Sequence, residues 1–158
     1  LRKEEEVLVA LRRIIRATDL HGKLLARETG MTAPQLMLLQ MAKRLHEPAI
    51  GDIAREANLT QATVTTIIER MEKRGLVIRR RNQTDRRKVN VLLTRNGEEV
   101  LDRAPEMLQN RFVERFLALP DWEQSLILAA LQRVGGLMGA EDLDASPVLD
   151  TGSLDRPV

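Results

Sequence analysis

The 158-residue chain has no cysteine and no tyrosine, and its only aromatic side chains are two Phe and one Trp. Without cysteine there is no disulfide framework, no Cys-ligated zinc module, no thiol nucleophile and no thiol redox sensor. So few aromatics argue against the nucleic-acid modules that stack bases on Phe, Tyr or Trp. The two histidines, His21 and His46, have no cysteine near them, so neither a metal site nor a cofactor is expected. Long apolar runs are missing too: the longest, Leu126 to Leu131, falls far short of the roughly 18 residues of a membrane span. The opening Leu-Arg-Lys-Glu-Glu-Glu lacks the apolar segment of a signal peptide. A cytoplasmic setting with no membrane partner is the expectation. Catalytic signatures are equally thin. Ser125, Ser146 and Ser153 lack a His partner, no Gly-rich phosphate loop occurs and no paired carboxylates converge, so no enzyme is expected.

What is present is charge, unevenly spread. Residues 58–96 hold ten Lys or Arg against three Asp or Glu, a net of +7, whereas residues 97–138 carry −3 and residues 139–158 carry −4. A field confined to one quarter of the chain suits a phosphate-binding surface, because attraction is screened beyond about 8–10 Å. The length fits one compact domain or two small lobes sharing a core.

Hydrophobic period divides the chain. Val7, Leu11, Ile14, Ile15 and Thr18 recur at helical spacing, and Gly30 is placed to end that helix in a left-handed turn. Thr32 and Gln35 form a capping box around Pro34, opening a second helix marked by Leu38, Ala42 and Leu45 and ended by Pro48. A short helix from Gly51 or Asp52 to Ala57 follows. Asn58-Leu59 supplies a tight turn, and Thr60 caps a helix whose inward set is Val64, Ile67, Ile68 and Met71, with Gly75 at its close.

The period then changes to that of strands. Leu76-Val77-Ile78 runs into Arg79-Arg80-Arg81, turn residues occupy 82–85, and Val89, Val91 and Leu93 alternate with their neighbours, which predicts a basic β-hairpin. Thr94 caps a long helix carrying Leu101, Ala104, Leu108, Phe112 and Phe116, with a kink expected at Pro105. Beyond Pro120 a last helix continues Ile127, Ala130, Leu131, Val134, Leu137 and Met138 at three-and-four spacing. Residues 139–158 read as a loosely held acidic tail in which Val148 and Leu149 could act as anchors.

Two short helices joined by a tight turn and followed at once by a basic hairpin make a winged helix-turn-helix. The expected fold is mainly α with a small β-hairpin wing. A DNA-binding lobe at 32–94 is flanked by dimerisation helices at 1–30 and 95–138, and the acidic tail at 139–158 follows. The second helix of the pair can enter a major groove about 12 Å wide. It would present Gln61, Thr63, Thr65 and Thr66 opposite its buried face, with the capping Thr60 near a phosphate. The hairpin tip, Arg86-Arg87-Lys88, has the charge to follow the adjacent minor groove. The flanking helices have more apolar face than one small lobe can cover, which implies a homodimer.

These residues resemble the MarR-type transcription regulators. The stretch "GDIAREANLTQATVTTIIERMEKRGLVIR" is similar to the family's helix-turn-helix. "DRRKVNVLLTRNG" looks like its wing signature, an Asp-x-Arg followed by a strand and Leu-Thr-x-x-Gly. The likeness spans roughly residues 5–138. "LRRIIRATDLH", "MTAPQL", "LPDWEQ" and "LQRV" are similar to a branch that includes repressors of genes for ectoine and other compatible solutes.

Carried over residue by residue, the resemblance implies Gln61, Thr63, Thr65 and Thr66 on the groove-facing side, Arg70 near the DNA backbone, Arg86 and Arg87 at the wing tip, and Asp85 bracing the wing through an Arg of the same loop. It places the first helix beside an effector pocket and the dimer interface, which makes Arg16, Asp19 and His21 effector candidates. One departure stands out: several family members have Arg where this chain has Thr66, so no Arg–guanine contact is expected there. The implied partners are double-stranded DNA with a pseudo-palindromic operator, a second copy of the chain and a small-molecule or ionic effector. The implied function is that of a homodimeric repressor. The alternative on the residues alone is a winged-helix module that docks proteins and binds DNA weakly or not at all.

Overall fold

The computed structural model describes residues 2–152, so residues 153–158 of the acidic segment lie outside the described residues. The described residues form helices α1 (Lys3–Thr29), α2 (Ala33–Arg44), α3 (Ile50–Ala57) and α4 (Gln61–Lys73), strands β1 (Val77–Arg81) and β2 (Val89–Leu93), and helices α5 (Arg95–Arg103), α6 (Leu108–Leu117) and α7 (Asp121–Leu137). They pack as two compact units, one running to Pro105 and taking in the segment from Pro147, the other being Glu106–Ser146.

Local chemistry explains most element ends in the first unit. Gly30 ends α1 at φ 67°, its N–H donating to the Ala26 carbonyl. The Thr32 hydroxyl accepts from Gln35 N, and the Gln35 side chain returns the bond to Thr32 N at 3.1 Å, with Pro34 in the first turn of α2. Asn58 takes φ 53° to turn the chain from α3 into α4, and Gly75 takes φ 71° beyond α4. α3 starts at Ile50, slightly earlier than the expected Gly51 or Asp52, because the Asp52 carboxylate accepts from Ala49 N at 3.2 Å and satisfies the helix entrance.

The core sits on α2, where every residue from Ala33 to Leu39 is buried. Leu36, Leu38 and Leu39 are inaccessible, as is Leu25 of α1, and α2 packs on α3 and α4, whose Ile53, Val64, Ile67, Ile68 and Met71 are likewise essentially inaccessible. β1 and β2 pair antiparallel with Val77 opposite Leu93 and Arg79 opposite Val91. Their inward residues Val77 and Val91 close the core from the wing side. A bridge from Ala49 to Asn90 and a bond from Val91 N to the Pro48 carbonyl (2.9 Å) attach a third, very short strand to β2. The chain reaches that bridge through His46 and Glu47, both at positive φ (53° and 54°), which a Glu47 carbonyl bond from Asn90 Nδ2 (2.8 Å) helps to hold.

The Leu-Thr-x-x-Gly run is a structural joint. Thr94 N donates to the Leu76 carbonyl (3.1 Å), Thr94 Oγ1 donates to the Gly75 carbonyl (2.6 Å) and accepts from Gly97 N (3.1 Å). Gly97 is buried against the same Leu76 carbonyl, so close that a Cβ there would lie 2.2 Å from it. α5 is thereby seated on the base of the hairpin, and it also packs on α1 and α2.

Pro105 does more than kink a helix. The expected long helix is two: α5 stops at Arg103, Ala104 is extended (φ −67°, ψ 132°) and α6 starts only at Leu108. The pyrrolidine ring disfavours helical backbone at the preceding residue, so the break falls before the proline. In the second unit Phe112 and Phe116 stack with centroids 5.5 Å apart, whereas Trp122 is 67 % exposed. Neither α6 nor α7 has a fully buried residue: Leu126, Leu128, Leu131 and Leu137 all face outward. α1 likewise exposes Val7, Ile14, Ile15 and Leu20. Of the two expected tail anchors, Val148 is buried and Leu149 is exposed.

Candidate nucleic-acid interface

The face opposite the core of α3 and α4 is built from short polar side chains. Thr60 caps α4 by accepting from Thr63 N at 3.2 Å, and its hydroxyl also shares a hydrogen bond with Thr63 Oγ1 at 2.8 Å. Thr66, exposed one turn later, donates its hydroxyl back to the Ala62 carbonyl at 3.0 Å. Gln61 and Thr65 lie one turn apart and both line an open groove of about 540 Å³ between α3, α4 and the wing. Arg70, further along α4, is half-buried, with Nη1 enclosed and without a hydrogen-bond partner among the described residues. Its other guanidinium nitrogens are what it can offer to a phosphate.

The wing is shaped by its own loop. Asn82 Oδ1 accepts from Thr84 N (2.8 Å) and Asp85 N (2.9 Å), and Asn82 N and Lys88 N close the turn on the Lys88 and Asp85 carbonyls. Asp85 Oδ1 accepts from Arg87 N at 3.0 Å and lies 3.5 Å from Arg87 Nε. Asp85 thus pairs with an arginine of its own loop mainly through the main chain, leaving the Arg87 side chain 94 % exposed. Arg86 and Lys88 are exposed beside it, and Arg87 and Lys88 reach the same groove as Gln61 and Thr65.

The groove also contains residues that sequence reasoning missed: Gly51, Asp52 and Arg55 from α3, and Arg79 from β1. Asp52 and Arg55 form an ion pair across the first turns of α3. Their spacing of three on an exposed face was a visible signal. Gly51 and Arg79 gave none, because they come to the groove only through the crossing of α3 on α4 and the hairpin on both.

Arg79 is held from below. Its main-chain N–H and its Nε donate to Glu72 at 3.1 and 2.8 Å, and Nη1 reaches Glu69 at 3.0 Å. The Arg79 main-chain bond first, then the guanidinium, holds the Glu72 carboxyl below the ordinary Glu range, against the opposing pull of partial burial. The Glu72 carboxylate in turn raises the Arg79 guanidinium further. Because the folded state lowers the Glu72 pKa, this contribution is present above the ordinary Glu range and is lost as the pH falls through the depressed value. Glu72→Gln is therefore expected to cost about 1 kcal/mol at neutral pH. In urea titrations the gap to the native chain should close as the solution is acidified, and a pH-independent gap would assign the loss to packing.

The effector candidates fall elsewhere. Asp19 pairs with Arg16 (3.5 Å) and Lys23 (3.1 Å) on the surface of α1, and His21 is half-buried on the same helix. None of the three lines the α3–α4–wing groove.

A model of the MarR family matches residues 31–89, which span α2 through the start of β2. The transcriptional regulator YsmB of Bacillus subtilis is 27 % identical over 125 residues, covering 79 % of this chain and 86 % of that protein. The structure of the transcriptional regulator PcaV from Streptomyces coelicolor, solved with its natural ligand, superposes with a TM-score of 0.57 at 25 % identity, covering 82 % of this chain and 91 % of PcaV. That of BpsR from Bordetella bronchiseptica, a study of how 6-hydroxynicotinic acid regulates its DNA binding, gives 0.52 at 25 % identity over 82 % and 98 % of the two chains. Helix pair, wing, joint and relatives agree: residues 31–89 match the MarR family model, and the chain as a whole is similar to winged-helix transcriptional regulators.

Proposed function

We propose that the protein is a homodimeric, sequence-specific repressor that grips adjacent turns of a pseudo-palindromic operator and is released by a small-molecule or ionic effector. The observation that carries this reading is the convergence of Gln61 and Thr65 from α4 with Arg87 and Lys88 from the wing on one open groove. Thr60, Thr63, Thr66, Arg70 and Arg86 flank that groove as contacts to the duplex, with Asp85 setting the wing tip. The outward apolar faces of α1 and of α7 support self-association, since each leaves large aliphatic side chains in water. Two-fold symmetry then sets half-site centres about 34–36 Å apart.

Effector release acts by differential affinity: a ligand that binds better to a spacing of the two lobes unsuited to DNA lowers operator affinity. The ligand complex of PcaV and the 6-hydroxynicotinic acid control of BpsR support such a step. Arg16, Asp19 and His21 on α1 are the proposed effector side chains. Genes for compatible solutes are the target class favoured by the likeness of "LRRIIRATDLH" and "LPDWEQ" to that branch. Selection of bound fragments from random duplex DNA, with solution scattering for the mass, tests the reading. A symmetric motif bound by a dimer is expected. A chain that shows no salt-sensitive, sequence-dependent retention of duplex DNA, the behaviour of a protein-docking module, would overturn it.

A further inference from the structure

Among the polar side chains on the outer face of α4, hydrogen bonding separates two groups. Thr60 and Thr63 bond to each other and Thr66 bonds to Ala62, so these hydroxyls are committed to the helix. The Gln61 amide and the Thr65 hydroxyl have no hydrogen-bond partner among the described residues, and both line the groove. At a spacing of four they stand side by side, about 5–6 Å apart at Cβ. Gln61 is also aimed: it lies against Gly51 in the first turn of α3, where a Cβ would come within 3.1 Å of Gln61 Nε2 and 3.7 Å of Cδ. Gly51 has ordinary helical backbone, so what its lack of a side chain provides is room for the amide and not a special turn.

We infer that Gln61, positioned by Gly51, is the residue that reads a base, and that the base is an adenine at one symmetric position in each half-site. An amide offers a donor and an acceptor together, which matches N7 and N6 of adenine in the major groove, and no other single base edge there presents that pair. Thr65 adds a methyl and a free hydroxyl one helical turn further on. This inference rests on the DNA-reading function proposed above and can fail without it.

The test is the base preference recovered from random duplex by the full-length chain and three variants. The native chain should enrich adenine at the symmetric position. Gln61→Ala should cut that preference by about 5- to 150-fold, the range of one good bidentate contact. Gln61→Glu should move it towards cytosine, whose N4 amino group donates to a carboxylate. Gly51→Ala should weaken it at that position only, while melting at or above the native temperature, since alanine is the better helix former. A motif that survives Gln61→Ala and Gly51→Ala intact, or carries another base at that position, overturns the assignment and leaves the DNA-reading function standing. Absence of any motif from the native chain overturns that function itself.

Discussion

Replacing Arg86 and Arg87 together with alanine will weaken duplex binding by about tenfold per lost phosphate contact near 0.1 M salt, and flatten the salt dependence by about 0.9 in log–log slope for each. Neither side chain supports the fold. Arg87 has only a 3.5 Å approach to Asp85 at 94 % exposure, an ion pair of the kind that contributes little to stability. The loop keeps its shape through Asn82 and Asp85, which accept main-chain N–H groups and remain in the variant. The double variant should therefore melt with the native protein while its gel-shift midpoint moves. An unchanged midpoint and slope would show that the wing tip does not touch the duplex. Asp85→Ala should act differently, freeing the Arg87 main chain and blurring the tip without removing its charge.

Gly97→Ala will unfold the protein more readily than any exposed substitution, with a cost of about 3 kcal/mol and a fall in melting temperature of about 10 °C for a chain of this size. In an unconstrained helix the same change stabilises. Here the sign reverses because the new methyl would lie 2.2 Å from the Leu76 carbonyl oxygen. That carbonyl cannot swing aside without losing Thr94 N, its donor at 3.1 Å. Something must move, and the movable piece is α5 relative to the hairpin. The contrast with Gly51 is instructive: there the obstacle is the end of a flexible amide, so the helix gains and only the amide's aim suffers. A Gly97→Ala chain as stable as the native one would mean that this joint is looser than its geometry.

How much was legible in the sequence depended on the range of the interaction. Features set within four residues were readable: the Thr32–Gln35 box, the Thr60 and Thr94 caps, and the left-handed Gly30, Asn58 and Gly75 all stand where side-chain chemistry put them. The sequence predicts only a kink at Pro105 because the apolar period runs on through it. The pattern was right and the backbone was not, since exclusion of helical conformation at Ala104 outweighed the continuing stripe. The positive φ values of His46 and Glu47 are set by tertiary contact, being held by Asn90 and Arg80 of the hairpin. The groove was half visible. Gln61, Thr65, Arg87 and Lys88 follow from the helix-turn-helix and wing pattern, whereas Gly51 and Arg79 arrive by tertiary packing. Glu72, seven residues before Arg79, faces it only because the chain reverses at Gly75.

The hairpin has one more property. β2 is flanked by β1 on one side and bridged to Ala49 on the other, which leaves β1 as the outer border of the sheet. Such a border is a template on which a second chain can polymerise. Here the Glu72 carboxylate occupies the Arg79 N–H that an intruding strand would need. Of the three arginines in succession along it, Arg79 pairs with Glu69 and Glu72 and Arg80 with Glu47, while Arg81 places a further charge on the border that an intruding strand would have to bury. The cations concentrated for a polyanion therefore also guard the protein against aggregation when no polyanion is bound.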